Sequence, residues 1–375
     1  MNVVLIANMP WDHPTETNRH AWARGLLAAF PDAKVLYLET IGWHPRRPRV
    51  RTQVVEPGFC VYVLHAWNLL PRGADPTARL RRLVNHWLTA KLLKRTVTRL
   101  FRDDRMDLVV TFDPLSQRLA SLPAVRSVYD CLDLYRAQPQ HAGARRQHAL
   151  DNSERETARN VDEVVATSAE LLAHFEALGT KARHVPGALS RPSWHGAIGG
   201  VRRPSTTSRL GAVYIGALDP YKVDLATFDR MLSTLPGLTL TIVGRAEYDS
   251  PEIRVRIETL AQQHAVTYLG QVPRDQLGAV LARADFGVVS LTNGAYGGSS
   301  FPLKYWDYQW AGLPTLAVNC NALAGLPGVV SCAKPEDISR ETVLELLDLQ
   351  RYAASFRDHA AANDAEARVM RIMNT

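Results

Sequence analysis

The 375-residue sequence contains no apolar run approaching the roughly 18–20 residues that a helical membrane span needs, which excludes an integral helical membrane protein. Its first residues, Met1-Asn2-Val3-Val4-Leu5-Ile6-Ala7, read as a strand without a basic start, so no secretory signal is expected. Cysteine is scarce. Cys60, Cys131, Cys320 and Cys332 form no CxxC pair and stand at no metal-ligand spacing from histidine, so reduced thiols in a cytoplasmic compartment are expected and no metal centre is. There is no G-x-G-x-x-G, which argues against a dinucleotide cofactor. No internal repeat or low-complexity tract occurs either. What is present is a 46% hydrophobic chain of mean hydropathy −0.15, long enough for two domains of roughly 150–200 residues. The net charge of +7 is unevenly placed: residues 43–105 hold 14 Lys/Arg against 4 Asp/Glu, and the remainder is slightly acidic. Such a balance suits a protein that meets a polyanion or an anionic membrane.

Strands alternate with helices through both halves, which implies an α/β fold with parallel, Rossmann-like sheets. Strands are expected over residues 3–7, 34–39, 107–112, 127–133 and 163–168, with helices over about 17–30, capped by Thr15 or Thr17, and about 145–160. Residues 187–208, rich in Gly, Pro, Ser and Arg, read as a linker between domains 1–186 and 209–354. In the second half strands are expected over 211–216, 238–243, 266–272, 286–290 and 315–318. Helices are expected ending near His264 and over 274–284 and about 355–373.

Residues 79–105 form a helical pattern in which Leu80, Val84, Trp87, Leu88, Val97 and Phe101 share a broad stripe. Arg81, Arg82, Lys91, Lys94, Arg95 and Arg99 stand between them. Two outcomes stay open: packing of the stripe on a sheet, or docking on anionic lipid with Trp67 and Trp87.

The most informative stretch is Ser299-Ser300-Phe301-Pro302-Leu303-Lys304-Tyr305-Trp306-Asp307, behind the Gly-rich loop Asn293-Gly294-Ala295-Tyr296-Gly297-Gly298. It predicts a short helix with Pro302 in its first position, Ser299 or Ser300 as cap, and Gly312 with Pro314 as its stop. Lys304 in the first turn and the helix amino end together suit an anion, and Asp307 one turn on suits vicinal hydroxyls. An ordinary capped helix with a Lys–Asp pair would read the same way. Four further candidates lie at strand ends or near them: Asp130 and Asp133 in the end of the 127–133 strand, and Asp12 and His20 in and beyond the first loop. Asp130 or Asp133 could equally cap the following segment.

The spacing Pro302-Leu303-Lys304-x-x-Asp307-Tyr308-x-x-Ala311-Gly312-Leu313-Pro314 resembles the donor-site helix of GT-B glycosyltransferases of the family 4 type, which reads P-L-K-x-x-E-Y-x-A-x-G-x-P. Here Asp307 stands where that family has Glu. The Pro10-Trp11 and Arg19-His20 pairs and the Tyr129-Asp130-Cys131-x-Asp133 run are similar to bacterial polysaccharide glycosyltransferases of the teichuronic-acid and xanthan-glucuronosyltransferase types. The resemblance implies two Rossmann-like domains facing a cleft, with 355–375 crossing back to the first domain. It implies a UDP- or GDP-linked sugar donor as substrate, with no further cofactor. The diphosphate would lie by Lys304, Gly216, Arg245 and Ser299–Ser300, the ribose by Asp307 and the nucleobase by Gln271 and Val272. Asp133 would be the base, with Asp130, Asp12 and His20 behind it. The chain has no Asp-x-Asp, so metal-independent transfer is expected. The acceptor would be a glycan, lipid-linked or small-molecule hydroxyl, bound by a cytoplasmic protein peripheral to the inner membrane face; nucleic acid is not the expected partner. The competing readings are a nucleotide-sugar epimerase or hydrolase of the same fold, and a non-catalytic basic binding protein.

Overall fold

The computed structural model describes residues 1–13, 16–40, 50–56, 59–65, 77–102, 105–196, 210–245 and 251–374. Pro14, Thr15, Trp43, Trp67 and 197–208 of the expected linker lie outside the described residues.

Residues 1–187 run β1 (Asn2–Ala7), α1 (Asn18–Ala29), β2 (Lys34–Glu39), β3 (Val50–Glu56), β4 (Phe59–His65), α2 (Arg79–Phe101), β5 (Met106–Thr111), α3 (Gln117–Ala120), β6 (Ala124–Cys131), α4 (Ala144–Arg159), β7 (Glu163–Ala166), α5 (Ala169–Ala177) and β8 (Arg183–His184). The sheet order is β3-β4-β2-β1-β5-β6-β7-β8, parallel throughout except for β3, which pairs antiparallel with β4. β1, β2 and β5 are apolar on both faces because helices cover both. Val3, Leu5, Tyr37 and Val110 pack toward α1, while Val4, Ile6, Leu36 and Val109 pack toward Leu93 and Val97 of α2. β3 and β4 were not anticipated: β3 has a mixed sequence, whereas β4 carries an apolar run, Phe59 to Leu64, like that of the central strands.

Residues 188–364 form a second unit with β9 (Leu210–Ile215), α6 (Ala226–Thr234), β10 (Leu238–Val243), α7 (Pro251–Gln263), β11 (Val266–Tyr268), α8 (Leu277–Leu281), β12 (Phe286–Ser290), α9 (Ala295–Ser299), α10 (Lys304–Ala311), β13 (Thr315–Val318), β14 (Val329–Cys332), α11 (Arg340–Leu349) and α12 (Ala353–Ala362). Its sheet is fully parallel in the order β11-β10-β9-β12-β13-β14. In each sheet the chain leaves in one direction and returns on the other side of its first strand. The switch points therefore fall at β1/β5 and β9/β12, where open sheets of this kind bind ligands.

Three expectations need correction. Residues 188–196 pack into the second unit, burying Leu189 and Trp194 in its core rather than spanning as a free linker. The 274–284 helix is a 3-10 turn over Arg274–Gln276 followed by α8. The last helix divides: α12 stays in the second unit, and only α13 (Ala365–Met373) belongs to the first. There α13 lies on α1, where a Cβ at Gly25 would overlap the carbonyl of Ala365. Arg126 donates to the Met373 and Ile372 carbonyls at 2.8 Å each, satisfying acceptors that the end of a helix leaves open.

Candidate active site

In the second unit the carboxyl ends of β9 and β10 touch through two glycines. Gly216 and Gly244 have φ of 137° and 142°, and a Cβ on Gly244 would overlap the Gly216 carbonyl. A Cβ on Gly216 would stand 2.9 Å from Lys304 Nζ, so the absent side chain leaves room for the ammonium. Lys304 rises from the start of α10 and sits 3.7 Å from the ring centroid of Tyr214. Burial, with the positive charge of Lys222 adding to it, lowers its pKa to about 7. Lys222 was not among the sequence candidates. It follows the turn after β9, pairs with buried Asp219 at 2.8 Å and lies near the rings of Tyr221 and Tyr296. Two ammonium groups near one another at a sheet switch point make a place for an anion.

The other donor candidates take less uniform positions. Arg245 follows Gly244 with an exposed side chain, and its carbonyl accepts from Leu218 N–H at 2.9 Å. Gln271 is exposed and Val272 half-buried, beside Gly270, whose carbonyl accepts from Gly244 N–H. The Gly-rich loop is not a loop: it winds into α9. Ser299 and Ser300 donate their hydroxyls to the Tyr296 carbonyl at 3.0 and 2.8 Å, which corrects their expected capping role; α10 begins at Lys304 without a side-chain cap. Gly312 ends α10 at φ 70°, as its sequence position predicts. Asp307 is buried and paired with Arg274 at 3.3 Å, a partner that nothing in the local sequence suggested.

In the first unit the four carboxylate and imidazole candidates separate sharply. Asp130 is fully buried. It takes both terminal nitrogens of Arg368 at 2.8 and 2.9 Å and the indole N–H of Trp22 at 2.6 Å, which makes it the anchor of α13. His20 accepts at Nδ1 from the Thr17 N–H and reaches the Trp11 carbonyl with Nε2 at 2.9 Å. It is therefore an internal brace of the first loop, and burial holds it near pKa 4. Asp12 is exposed. Asp133 is half-buried just past the end of β6, on the carboxyl edge of the sheet. Near it stands buried Arg19, missed as a site candidate. Despite the desolvation that opposes its charge, Arg19 is held firmly cationic by surroundings that include Tyr135, Tyr37, Asp133 and Asp130, and it donates to Asn8 at 2.9 Å and Tyr135 at 3.2 Å. Asp113, another omission, follows β5 at the switch point, and burial raises its pKa. Among the described residues, Asp151, Glu154 and His174 are spaced for a cation, but His174–Glu154 at 2.8 Å and Tyr129–Glu154 at 2.6 Å already join them to protein groups.

Two parallel, doubly wound sheets in separate units, each with polar residues gathered at its switch point, define the GT-B class of enzyme. Family models match both halves: a glycosyl transferase 4-like domain over residues 16–186 and a glycosyl transferases group 1 domain over residues 210–348. The chain thus carries two glycosyltransferase domains, one in each half. No curated protein matches it significantly. Among solved structures, the sucrose-phosphate synthase of Thermosynechococcus elongatus is similar at TM-score 0.70 and 17% identity, covering 100% of this chain and 97% of that one. An α,α-trehalose-phosphate synthase (UDP-forming) from Burkholderia xenovorans, in complex with glucose-6-phosphate, is similar at 0.69 and 14%, covering 100% and 99%. Anabaena HepE in complex with UDP-glucose is similar at 0.65 and 14%, covering 100% and 98%. At these identities the likeness establishes the fold.

Proposed function

We propose that the protein transfers a glycosyl group from a UDP- or GDP-linked sugar to a hydroxyl of a glycan, lipid-linked or small sugar acceptor, as a cytoplasmic enzyme at the inner membrane face. The observation that carries this reading is Lys304 Nζ filling the space above Gly216, with Lys222 close by, at the β9/β12 switch point. The acceptor oxygen bonds to the anomeric carbon as the bond from that carbon to the diphosphate breaks. The acceptor proton passes to Asp133, and Lys304 and Lys222 meet the charge that grows on the leaving diphosphate, a role their ammonium groups fill without a metal. Asp307, oriented by Arg274, takes the ribose hydroxyls; Gln271 and Val272 border the nucleobase. The UDP-glucose of HepE supports a uridine donor, and the polysaccharide-type sequence features support a glycan product. A panel of nucleotide sugars screened by thermal shift tests the reading: one donor should raise the melting temperature, and nucleoside diphosphate should be released only when acceptor is added. Release without acceptor would identify a hydrolase instead.

A further inference from the structure

The first half of α2 is built with its polarity reversed. Arg82, Asn85, His86 and Thr89 are buried, while Leu80, Val84 and Trp87 are 76%, 38% and 51% exposed. Steps of four and three residues place those three on one line of the helix. A helix covering a sheet normally shows the opposite arrangement, and the second half of α2 does so, sinking Leu93, Val97 and Phe101 into the core. The reversal is built in: Arg82 donates to Ser153 Oγ at 2.8 Å, and burial beside Arg82 and Arg118 takes His86 down to about pKa 3, so it is neutral inside. The same outward line continues as Lys91, Lys94 and Arg95, all exposed, and Lys91 Nζ lies 3.6 Å from the Trp87 ring centroid. The whole 23-residue helix contains no acidic residue.

We propose that this face docks on an anionic lipid surface, with Leu80, Val84 and Trp87 entering the boundary between headgroups and acyl chains and Lys91, Lys94 and Arg95 meeting lipid phosphates. Charge and polarity together select this occupant. A second copy would set cation against cation, and a nucleic acid would leave the three apolar side chains with nothing to bury against. The direction of α2 adds a consequence. Its last carbonyls lie at the amino edge of the sheet, where Lys34 Nζ reaches Phe101 O at 3.3 Å, so its apolar start lies toward the carboxyl edge that carries Asp133. Docking would bring lipid to that edge, which fits a lipid-linked acceptor; this last step rests on the transferase reading, whereas the docking does not.

The test is flotation of the purified protein with phosphatidylcholine vesicles, with and without phosphatidylglycerol. Binding is expected only to the anionic vesicles, and Lys91→Gln/Lys94→Gln/Arg95→Gln should weaken it by roughly a hundredfold at low salt. Leu80→Ser/Trp87→Ser should remove the part of the binding that survives high salt. Both variants should keep the melting temperature of the wild type. No flotation on anionic vesicles, or flotation that neither variant weakens, overturns the proposal. So does a dimer at sedimentation equilibrium that Trp87→Ser dissolves, or duplex-DNA binding without vesicle binding. Turnover on a soluble acceptor by a protein that ignores vesicles would sink the docking and leave the transferase reading standing. Flotation by a protein that turns over no donor would do the reverse.

Discussion

The carboxyl edges of the two sheets follow the same winding plan and end with opposite chemistry. Around β1, β5 and β6 the edge gathers carboxylates and buried arginines that answer them: Asp130 with Arg368, and Arg19 with Asp133 nearby. Around β9 and β12 it gathers two lysines with Asp219 as their close acidic partner, and glycines clear the space in front of one of them. A switch point thus supplies a location. The sign of the charge left over there decides what can bind and which proton can move.

The largest effect is expected from Asp133→Asn. Turnover should fall by ~10²–10⁴-fold with donor affinity nearly unchanged, read by steady-state kinetics beside calorimetry. If Asp113→Asn does this and Asp133→Asn does not, the base belongs to β5. At Asp130 the loss should instead be one of stability. Asp130→Asn leaves Arg368 buried without its counter-charge and should cost ~3–5 kcal/mol in urea unfolding, with α13 the first element to exchange its amides. Native-like stability in that variant would refute the anchor role.

On the second edge, Lys304→Ala should weaken nucleoside-diphosphate binding by about 1.5–3 kcal/mol by calorimetry, while Asp307→Ala weakens nucleoside binding and spares inorganic diphosphate. The smallest effect is one of pH. Lys304 is pulled down to about 7 in the free protein, and an anion favours its charged form, so diphosphate affinity should fall by up to about tenfold per unit above pH 7. For folding the sign is opposite. Between about 7 and 10.5 the unfolded chain holds this proton and the folded one does not, so the lysine's contribution to stability rises with pH across that window. Lys304→Met should remove both dependences, and its failure to do so would mean another group titrates.

The central strands were legible because a parallel strand covered on both faces is an unbroken apolar run, as Val3–Ala7 and Phe286–Val289 are. Lys304, Asp307 and the stop at Gly312 were legible because one short helix fixes their spacing. Asp130 and Asp133 were not distinguishable in sequence: both stand in the end of one expected strand, and what separates them is Arg368, distant along the chain, and the indole of Trp22. His20 misled for a similar reason, since both its ring nitrogens are occupied by loop backbone and Thr17. Lys222 and Arg274 stood in turns of ordinary composition and gained meaning only from the neighbours brought beside them.

The α/β architecture and most of its element order were already written in the local pattern, because hydrophobic periodicity and Gly and Pro stops act over a few residues. Which carboxylate is an anchor, which lysines stand together and which side of α2 faces water emerged only on folding. Those outcomes depend on burial and on charges met across long separations in the chain, and neither quantity exists until the sheets have formed.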